Sequence, residues 1–196
     1  MRQNERMNIN YLKRKIPNFI VIICAIFVTS LVLIYEGRSF FSSSGKLFFW
    51  IGDINSSETS QQLLDPYSFT HVLHGVLFFW LFYAILRRIA ASWRFCLAVC
   101  LECAWEIIEN SQFIIDRYRT ATISLGYTGD SIINSLSDIT MCSTGFIIAY
   151  FLGFKRSLIL FACVEIMLIL WVRDSLLINI VMLIYPIEAV KLWQAG

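Results

Sequence analysis

Both histidines of the chain, His71 and His74, stand three residues apart near the start of an apolar segment and therefore share one face of a helix. A second apolar segment carries Glu102, Glu106 and Glu109 at spacings of four and three, which again places the side chains on one face. Imidazoles and carboxylates in such an arrangement can exchange protons or hold a metal ion. Because an ionisable group inside a bilayer costs at least about 2.5 kcal/mol, such clusters mark functional sites or paired charges.

A third apolar segment begins with Asp130, Asn134 and Asp138, whose successive spacings of four form a polar stripe along one helix face. The connection before it contains Arg117 and Arg119, and a guanidinium group can clamp a phosphate or pair with a carboxylate. We expect all of these side chains to meet in one region. The candidate site residues are His71, His74, Glu106, Glu109, Arg117, Arg119, Asp130, Asn134 and Asp138.

The composition indicates that the elements holding these residues lie in a membrane. Of the 196 residues, 58% are hydrophobic and only 15% are charged, whereas a soluble domain has about a quarter charged residues. The net charge is only +2, and no basic run with interleaved aromatic residues occurs beyond the N-terminus. The sequence therefore does not indicate a nucleic-acid partner. All six cysteines fall inside apolar segments, where we interpret them as packing residues rather than disulfides or zinc ligands.

Apolar segments of sufficient length predict an all-α polytopic membrane helix bundle, with residues 1–196 as a single integral membrane domain. The first segment is interpreted as a retained anchor, because it is longer than a signal-peptide core and no small-residue cleavage site follows it. The last two segments are short and are expected to form a tight hairpin. The six predicted transmembrane helices are residues 16–35, 69–86, 95–115, 132–152, 157–172 and 176–190.

The distribution of Lys and Arg predicts the orientation, since cytoplasmic loops hold the excess of these residues. With six spans, eleven of the sixteen fall on the side of the N-terminus and five on the other. We therefore predict a multi-pass protein of the bacterial inner membrane with both termini cytoplasmic and the polar site facing outward. At that surface, Arg117 or Arg119 is expected to pair with Glu109, Asp116 or Asp130, because an unpaired charge at the membrane boundary is costly.

Several interpretations of the cluster remain open at this point. The histidines and facing carboxylates could bind a metal ion, as in other helical bundles. Arg117 and Arg119 could clamp a lipid-linked phosphate while a Glu or His acts as general base. Transport is a third possibility, although no internal repeat supports a standard transporter. Alternatively, the charges only fix helix packing. The sequence identifies no cofactor and does not decide whether the protein is an enzyme.

One long motif resembles a known family. The stretch ECAWEIIENSQFIIDRYRTATISLGYTGDSIINSLSD, residues 102–138, is similar to that of an uncharacterised family of bacterial multi-pass inner-membrane proteins found mainly in alphaproteobacteria. The resemblance continues in GRSFFSSSGKLFFW, DPYSFTHVLHG and RDSLLINIVMLIYPIEAVKLWQ, and it implies the same membrane architecture without an established activity. Ser42 and Ser44 replace an expected Cys-x-Cys pair, and Gln62 replaces an expected histidine, which removes potential metal ligands.

A shorter pattern is similar to VanZ-like membrane proteins, which are associated with resistance to glycopeptides. Its order and spacing agree with the polar cluster, and we expect an outward-facing site that binds or processes a cell-envelope lipid or a lipid-linked precursor. Membrane lipids are therefore the expected partners, with a structural or metal-binding cluster as the alternatives. The residues of the VanZ-like pattern are Asp65, His71, Glu109, Gln112, Arg119, Asp130 and Asn134.

Overall fold

The computed structural model describes residues 2–122, 124 and 126–196, with side chains from residue 18 onward. In these residues the chain forms seven α-helices joined by loops, which confirms the all-α prediction. The longest loop, residues 36–67, contains one isolated bridge between Trp50 and Leu64. The helices are α1 (Arg2–Tyr35), α2 (Ser68–Ile85), α3 (Ala91–Glu109), α4 (Gln112–Ala121), α5 (Ile132–Val172), α6 (Leu176–Ile184) and α7 (Glu188–Ala195).

In the described part of the chain, three helices are long and apolar enough to cross a membrane, namely α1 through Asn18–Tyr35, α2 and α5. The 41-residue α5 is interrupted at Gly153, whose φ of 71° lies in the left-handed region that glycine adopts without steric cost. The helix therefore consists of two parts, residues 132–152 and 154–172, which correspond to two of the predicted spans.

Aromatic contacts show that the second part of α5 runs antiparallel to α2. Trp80, near the end of α2, contacts Phe154 just after the interruption, with ring centroids 5.4 Å apart. Phe69, at the start of α2, contacts Trp171 at the other end of α5, with ring centroids 6.5 Å apart. The second part of α5 therefore returns along α2. We call the end of the bundle where α2 begins the site end and the opposite end the far end.

Hydrogen bonds between the loops hold the site end together. Ser131 Oγ donates to the carbonyl oxygen of Gln61 at 3.0 Å, and Asn134 Nδ2 donates to that of Gln62 at 2.8 Å. Arg38 donates to the carbonyl oxygen of Thr128. The loop after α1 and the loop before α5 thus form one layer over the first turns of α2 and α5.

The third predicted span, residues 95–115, does not continue as one helix. Helix α3 ends at Glu109, and the chain resumes as α4 after two polar residues. Asn110 Nδ2 donates at 3.0 Å to the carbonyl oxygen of Glu106, and its Oδ1 accepts from the backbone N–H of Asp130 at 2.6 Å. These side-chain bonds replace continued backbone pairing, which is why the helix ends there.

The sixth predicted span, residues 176–190, is also not a single helix. Helix α6 has nine residues and is therefore only about 13.5 Å long, less than half of a bilayer core. Residues 185–187 are not helical, and Pro186 disfavours a helical conformation in the residue before it. In α7, Lys191 Nζ donates to the carbonyl oxygen of Thr120 at 2.7 Å. The C-terminal helix therefore lies at the site end, rather than at the far end that the six-span prediction required.

The core of the bundle lies where α2 crosses the first part of α5. Its buried side chains include Leu73, Val76 and Phe79 of α2 together with Phe146 and Ala149 of α5. Gly75 and Gly145 allow the two backbones to approach closely, because a Cβ atom on either glycine would overlap backbone atoms of the other helix. Small residues at such crossings are typical of membrane helix pairs.

Candidate functional site

A cavity of about 350 Å³ lies between α2, α3, α5 and α6 near the site end. Its lining brings together most of the predicted site residues, which come from three helices and the loop before α5. Glu106 lies directly beside these groups and is completely buried. The predicted site residues that line the cavity are His71, His74, Glu109, Asp130, Asn134 and Asp138.

The two imidazoles converge on one carboxylate at the base of this cavity. His71 Nδ1 lies 2.6 Å from Glu102 Oε1, and His74 Nδ1 lies 3.1 Å from both oxygens of Glu102. Glu102 has no exposed surface. Because bonds between an imidazole and a buried carboxylate are short and strong, Glu102 fixes the orientation of both rings.

Two further carboxylates face His71. Glu106 Oε1 lies 3.5 Å from His71 Nδ1, and Asp138 Oδ2 lies 3.9 Å from His71 Nε2. Both oxygens of Glu106 lack a hydrogen-bond partner among the described residues, and so does Oδ1 of Asp138. Buried carboxylate oxygens are normally paired, so these positions call for a ligand, a proton or an ion.

The site end of the cavity contains a second pair of carboxylates held by tyrosines. Tyr118 donates to Glu109 Oε1 at 2.8 Å, and Tyr127 donates to Asp130 Oδ2 at 3.0 Å. Burial raises the pKa of Asp130, while the hydrogen bonds from Tyr127 and Asn110 oppose that rise. Oxygen Oε2 of Glu109 is buried and has no partner among the residues that the structure describes.

Asp65 organises the start of α2. Its carboxylate accepts from the backbone N–H groups of Ser60 and Tyr67, both at 2.8 Å, and from that of Ser68 at 3.3 Å. Burial raises the pKa of Asp65, and these backbone hydrogen bonds oppose the rise. Carboxylates at this position satisfy the unpaired N–H groups of a helix start. Asp65 therefore connects the long loop to the helix that carries both histidines.

The other wall of the cavity is apolar and reaches the outside of the bundle. Three of its residues are substantially exposed, with 41% for Leu101, 50% for Ile108 and 40% for Ile180. The imidazole of His74 marks the boundary, because it stacks on Phe78 and meets Trp105 edge-on. The cavity thus combines an acidic, imidazole-containing end with an apolar wall that continues onto the surface.

Arg117 and Arg119 do not line this cavity, so the structure does not bring them together with the other predicted site residues. Arg117 donates through Nε to the carbonyl oxygen of Leu183 at 2.8 Å and through Nη2 to that of Ile184 at 3.1 Å, at the end of α6. Arg119 lies 3.8 Å from Asp116, which confirms the expected pairing of one arginine with an acid. Gln112, which belongs to the VanZ-like pattern, also lies outside the cavity and donates to the carboxylate of Asp116.

Four contributors to the site were absent from the candidate set, of which Asp65 appeared only in the VanZ-like pattern. Glu102 was detectable, since it precedes Glu106 by four residues on the same helix face. Tyr118 and Tyr127 gave no such signal, because they lie in α4 and in the loop after it and reach the carboxylates only through the fold.

The positions that depart from the expected family pattern lie next to one another in the long loop. Ser42 Oγ lies 3.2 Å from Ser44 Oγ, and hydrogen bonds from Ser42 and Gln62 hold the pKa of Glu58 below its ordinary value. Gln62 also accepts from the backbone N–H of Phe48 at 2.7 Å. These three positions therefore lie in the long loop and not among the residues that line the cavity.

A family model with the description "Protein of unknown function (DUF2585)" matches residues 33–196. The chain belongs to this family. A UPF0314 protein of Paracoccus denitrificans is 40% identical over 191 residues, which cover 96% of this chain and 97% of that protein. A UPF0314 protein of Novosphingobium aromaticivorans is 41% identical over 171 residues, 85% of this chain and 86% of that protein.

A UPF0314 protein of Rhizobium etli is 43% identical over 173 residues, covering 88% of this chain and 89% of that protein. These relatives confirm the resemblance to an uncharacterised family of alphaproteobacteria. No solved structure matches the chain.

Proposed function

We propose that this DUF2585 protein lies in the inner membrane with the site end facing outward and binds a cell-envelope lipid in its cavity. In this topology α1, α2, α3 and the two parts of α5 cross the bilayer, while α6 enters it only partly and α7 returns to the site end. Ten of the sixteen Lys and Arg residues then lie at the far end and six at the site end, so the positive-inside rule still favours a cytoplasmic far end.

This topology predicts the location of the C-terminus. Alkaline phosphatase fused after Gly196 or within the loop near Tyr127 is expected to be active, because both positions lie outside the cytoplasm. A fusion near Ala91 is expected to be inactive and serves as the control. An inactive fusion after Gly196, together with an active one near Tyr127, would contradict the five-crossing topology and favour six spans.

The observation that carries the proposed function is the composition of the cavity wall. A lipid has a polar headgroup and apolar chains, and the cavity has polar groups at one end and exposed apolar residues such as Leu101 and Ile180 at the other. Ligand sites are commonly apolar cavities with a few fixed polar groups. An acyl chain can reach the apolar wall directly from the bilayer, and the headgroup then meets the carboxylates.

The charges of the cavity indicate which headgroup fits. Four acids line it, Asp65, Glu109, Asp130 and Asp138, whereas no Arg or Lys occurs among the described residues of the lining. A headgroup with hydrogen-bond donors, a hydroxyl or an amine, is therefore favoured over a bare phosphate. Oxygen Oε2 of Glu109 is an available acceptor at the site end, because Tyr118 occupies only Oε1 and Oε2 has no partner among the described residues. Glu109 could also accept a proton from such a headgroup, which would make processing of the lipid possible.

Photo-crosslinking tests the proposal. The full chain is reconstituted with phosphatidylethanolamine that carries a diazirine in one acyl chain, and the labelled residues are mapped by mass spectrometry. We expect labelling concentrated on the cavity wall of α3 and α6. Ile180→Trp, which fills the apolar side, should reduce this labelling several-fold. Ile166→Trp, at an exposed position of α5 outside the cavity, should leave it unchanged.

The headgroup is tested with the same reagent made from phosphatidylcholine, whose quaternary ammonium has no N–H donor. Labelling of the wild type should be several-fold weaker with this lipid than with phosphatidylethanolamine. Glu109→Gln should label equally with both lipids. This variant should stay folded, because the amide oxygen of the glutamine can still accept from Tyr118. Labelling spread evenly over all lipid-facing helices, and unaffected by Ile180→Trp, would overturn the proposal and leave the polar cluster with a structural role.

A further inference from the structure

The cluster around His71 contains more acid than its hydrogen bonds explain. Three carboxylates, Glu102, Glu106 and Asp138, lie within 4 Å of its ring nitrogens. Even with both imidazoles protonated, three ionised carboxylates leave an excess negative charge. Neither oxygen of Glu106 has a partner among the described residues, although its side chain is completely buried. An uncompensated buried charge is costly, so the cluster requires another cationic group or added protons.

The geometry of His71 favours a cation over a proton. Nδ1 is engaged by Glu102 at 2.6 Å, which leaves Nε2 as the free nitrogen. Oxygen Oδ2 of Asp138 lies 3.9 Å from Nε2, which is too far for a hydrogen bond. Two ligands of an ion such as zinc, at about 2.1 Å each, lie about 3.4 Å apart at a tetrahedral angle and about 4.2 Å apart when opposite. The separation of Nε2 and Asp138 falls between these values.

We propose that a divalent transition-metal ion binds to His71, Glu106 and Asp138. One potential ligand atom of each residue lies within 4.8 Å of the others, and the set combines an imidazole with two carboxylates, which suits Zn²⁺, Mn²⁺ or Fe²⁺. Glu102 acts as a positioning residue, because a carboxylate that accepts from the other ring nitrogen fixes a metal-bound imidazole in place. His71 and Asp138 line the cavity, so a remaining coordination position faces a bound ligand.

A second grouping, His71, His74 and Glu102, also has three potential ligand atoms close together. Its atoms are joined by direct hydrogen bonds of 2.6 and 3.1 Å, shorter than the spacing of ligands around a shared ion at a tetrahedral angle. We therefore assign His74 and Glu102 to orientation of the site rather than to coordination. This inference does not depend on the proposed lipid, because metal content is measurable without it.

Metal analysis of the purified full chain tests the site. After treatment with a chelator, reloading with ZnCl₂ or MnCl₂ and removal of free metal, elemental mass spectrometry should find about one ion per chain for the wild type. Glu106→Gln and Asp138→Asn should weaken zinc binding by about 100-fold or more, and Glu102→Gln by about 10-fold to 100-fold, as for other outer partners of metal-bound histidines. Glu165→Gln, which changes another largely buried carboxylate in the membrane-embedded part of α5, is the matched control and should bind zinc like the wild type.

A wild-type chain that retains no metal after reloading would overturn the inference, and so would equal metal content in the wild type and both ligand variants. Loss of metal in His74→Asn but not in Asp138→Asn would also overturn the assignment. If a variant does not fold, the visible spectrum of the Co²⁺-loaded wild type decides, because Co²⁺ held by three protein ligands at a low coordination number absorbs much more strongly than hexaaqua Co²⁺. Lipid labelling repeated in chelator separates this result from the proposed function.

Discussion

Replacing Glu102 by alanine is expected to destabilise the protein by roughly 3 to 5 kcal/mol, enough to remove most of it from the membrane. The carboxylate is completely buried and holds the Nδ1 atoms of both His71 and His74. Its loss leaves two imidazoles between α2 and α3 without their main partner. The measurements are membrane abundance and the thermal unfolding midpoint in detergent.

Two variants control this experiment. Asp116→Ala removes a carboxylate whose ion pair with Arg119 is exposed, and such pairs contribute at most about 1 kcal/mol, so its midpoint should stay near that of the wild type. The unfolding midpoint of Glu102→Gln should fall between these two, because the amide keeps one acceptor oxygen but loses the negative charge and the second acceptor. If Glu102→Ala accumulated and melted like Asp116→Ala, Glu102 would not be the group that holds the two histidines.

Helical spacing predicted the part of the site that depends on single helices. The histidines of α2, the acids of α3 and the polar stripe of α5 each occupy one face, and the structure turns these faces toward each other. Such faces follow from the 3.6-residue period alone. The sequence could not assign individual roles, since Glu102 and Glu106 have the same spacing pattern but only Glu102 is bonded to both imidazoles.

The errors arose where the chain leaves the long helices. The predicted span ran on to Ile115, yet Asn110 ends α3 because its side chain bonds to the loop before α5, a contact that no local pattern predicts. The partners of Arg117 could not be predicted for a similar reason. Arg117 finds backbone acceptors at the end of α6, about 66 positions along the chain. Pro186 was a local signal that α6 would stop before it, but no local pattern predicted that α7 would turn back to the site end.

Substituting either glycine at the crossing of α2 and α5 tests the packing that positions the histidines. Alanine normally stabilises a helix relative to glycine by about 1 kcal/mol. At Gly75, however, a Cβ would overlap the carbonyl oxygen of Cys142, and at Gly145 it would overlap that of Val72. We therefore expect Gly75→Ala and Gly145→Ala each to destabilise the protein by about 1 to 3 kcal/mol, measured as a lower unfolding midpoint in detergent.

The sign of this effect is the decisive observation, because helix propensity and steric overlap act in opposite directions. Gly126→Ala is the control, since a Cβ there meets no atom of the described residues within 4 Å, its chain neighbours aside. The double variant of Gly75 and Gly145 should lose less stability than the sum of the single variants, because the first methyl group already separates the helices and makes room for the second. If both single variants were more stable than the wild type, the two backbones would not be in contact, and the distance between His71 on α2 and Asp138 on α5 would have to be larger than the site requires.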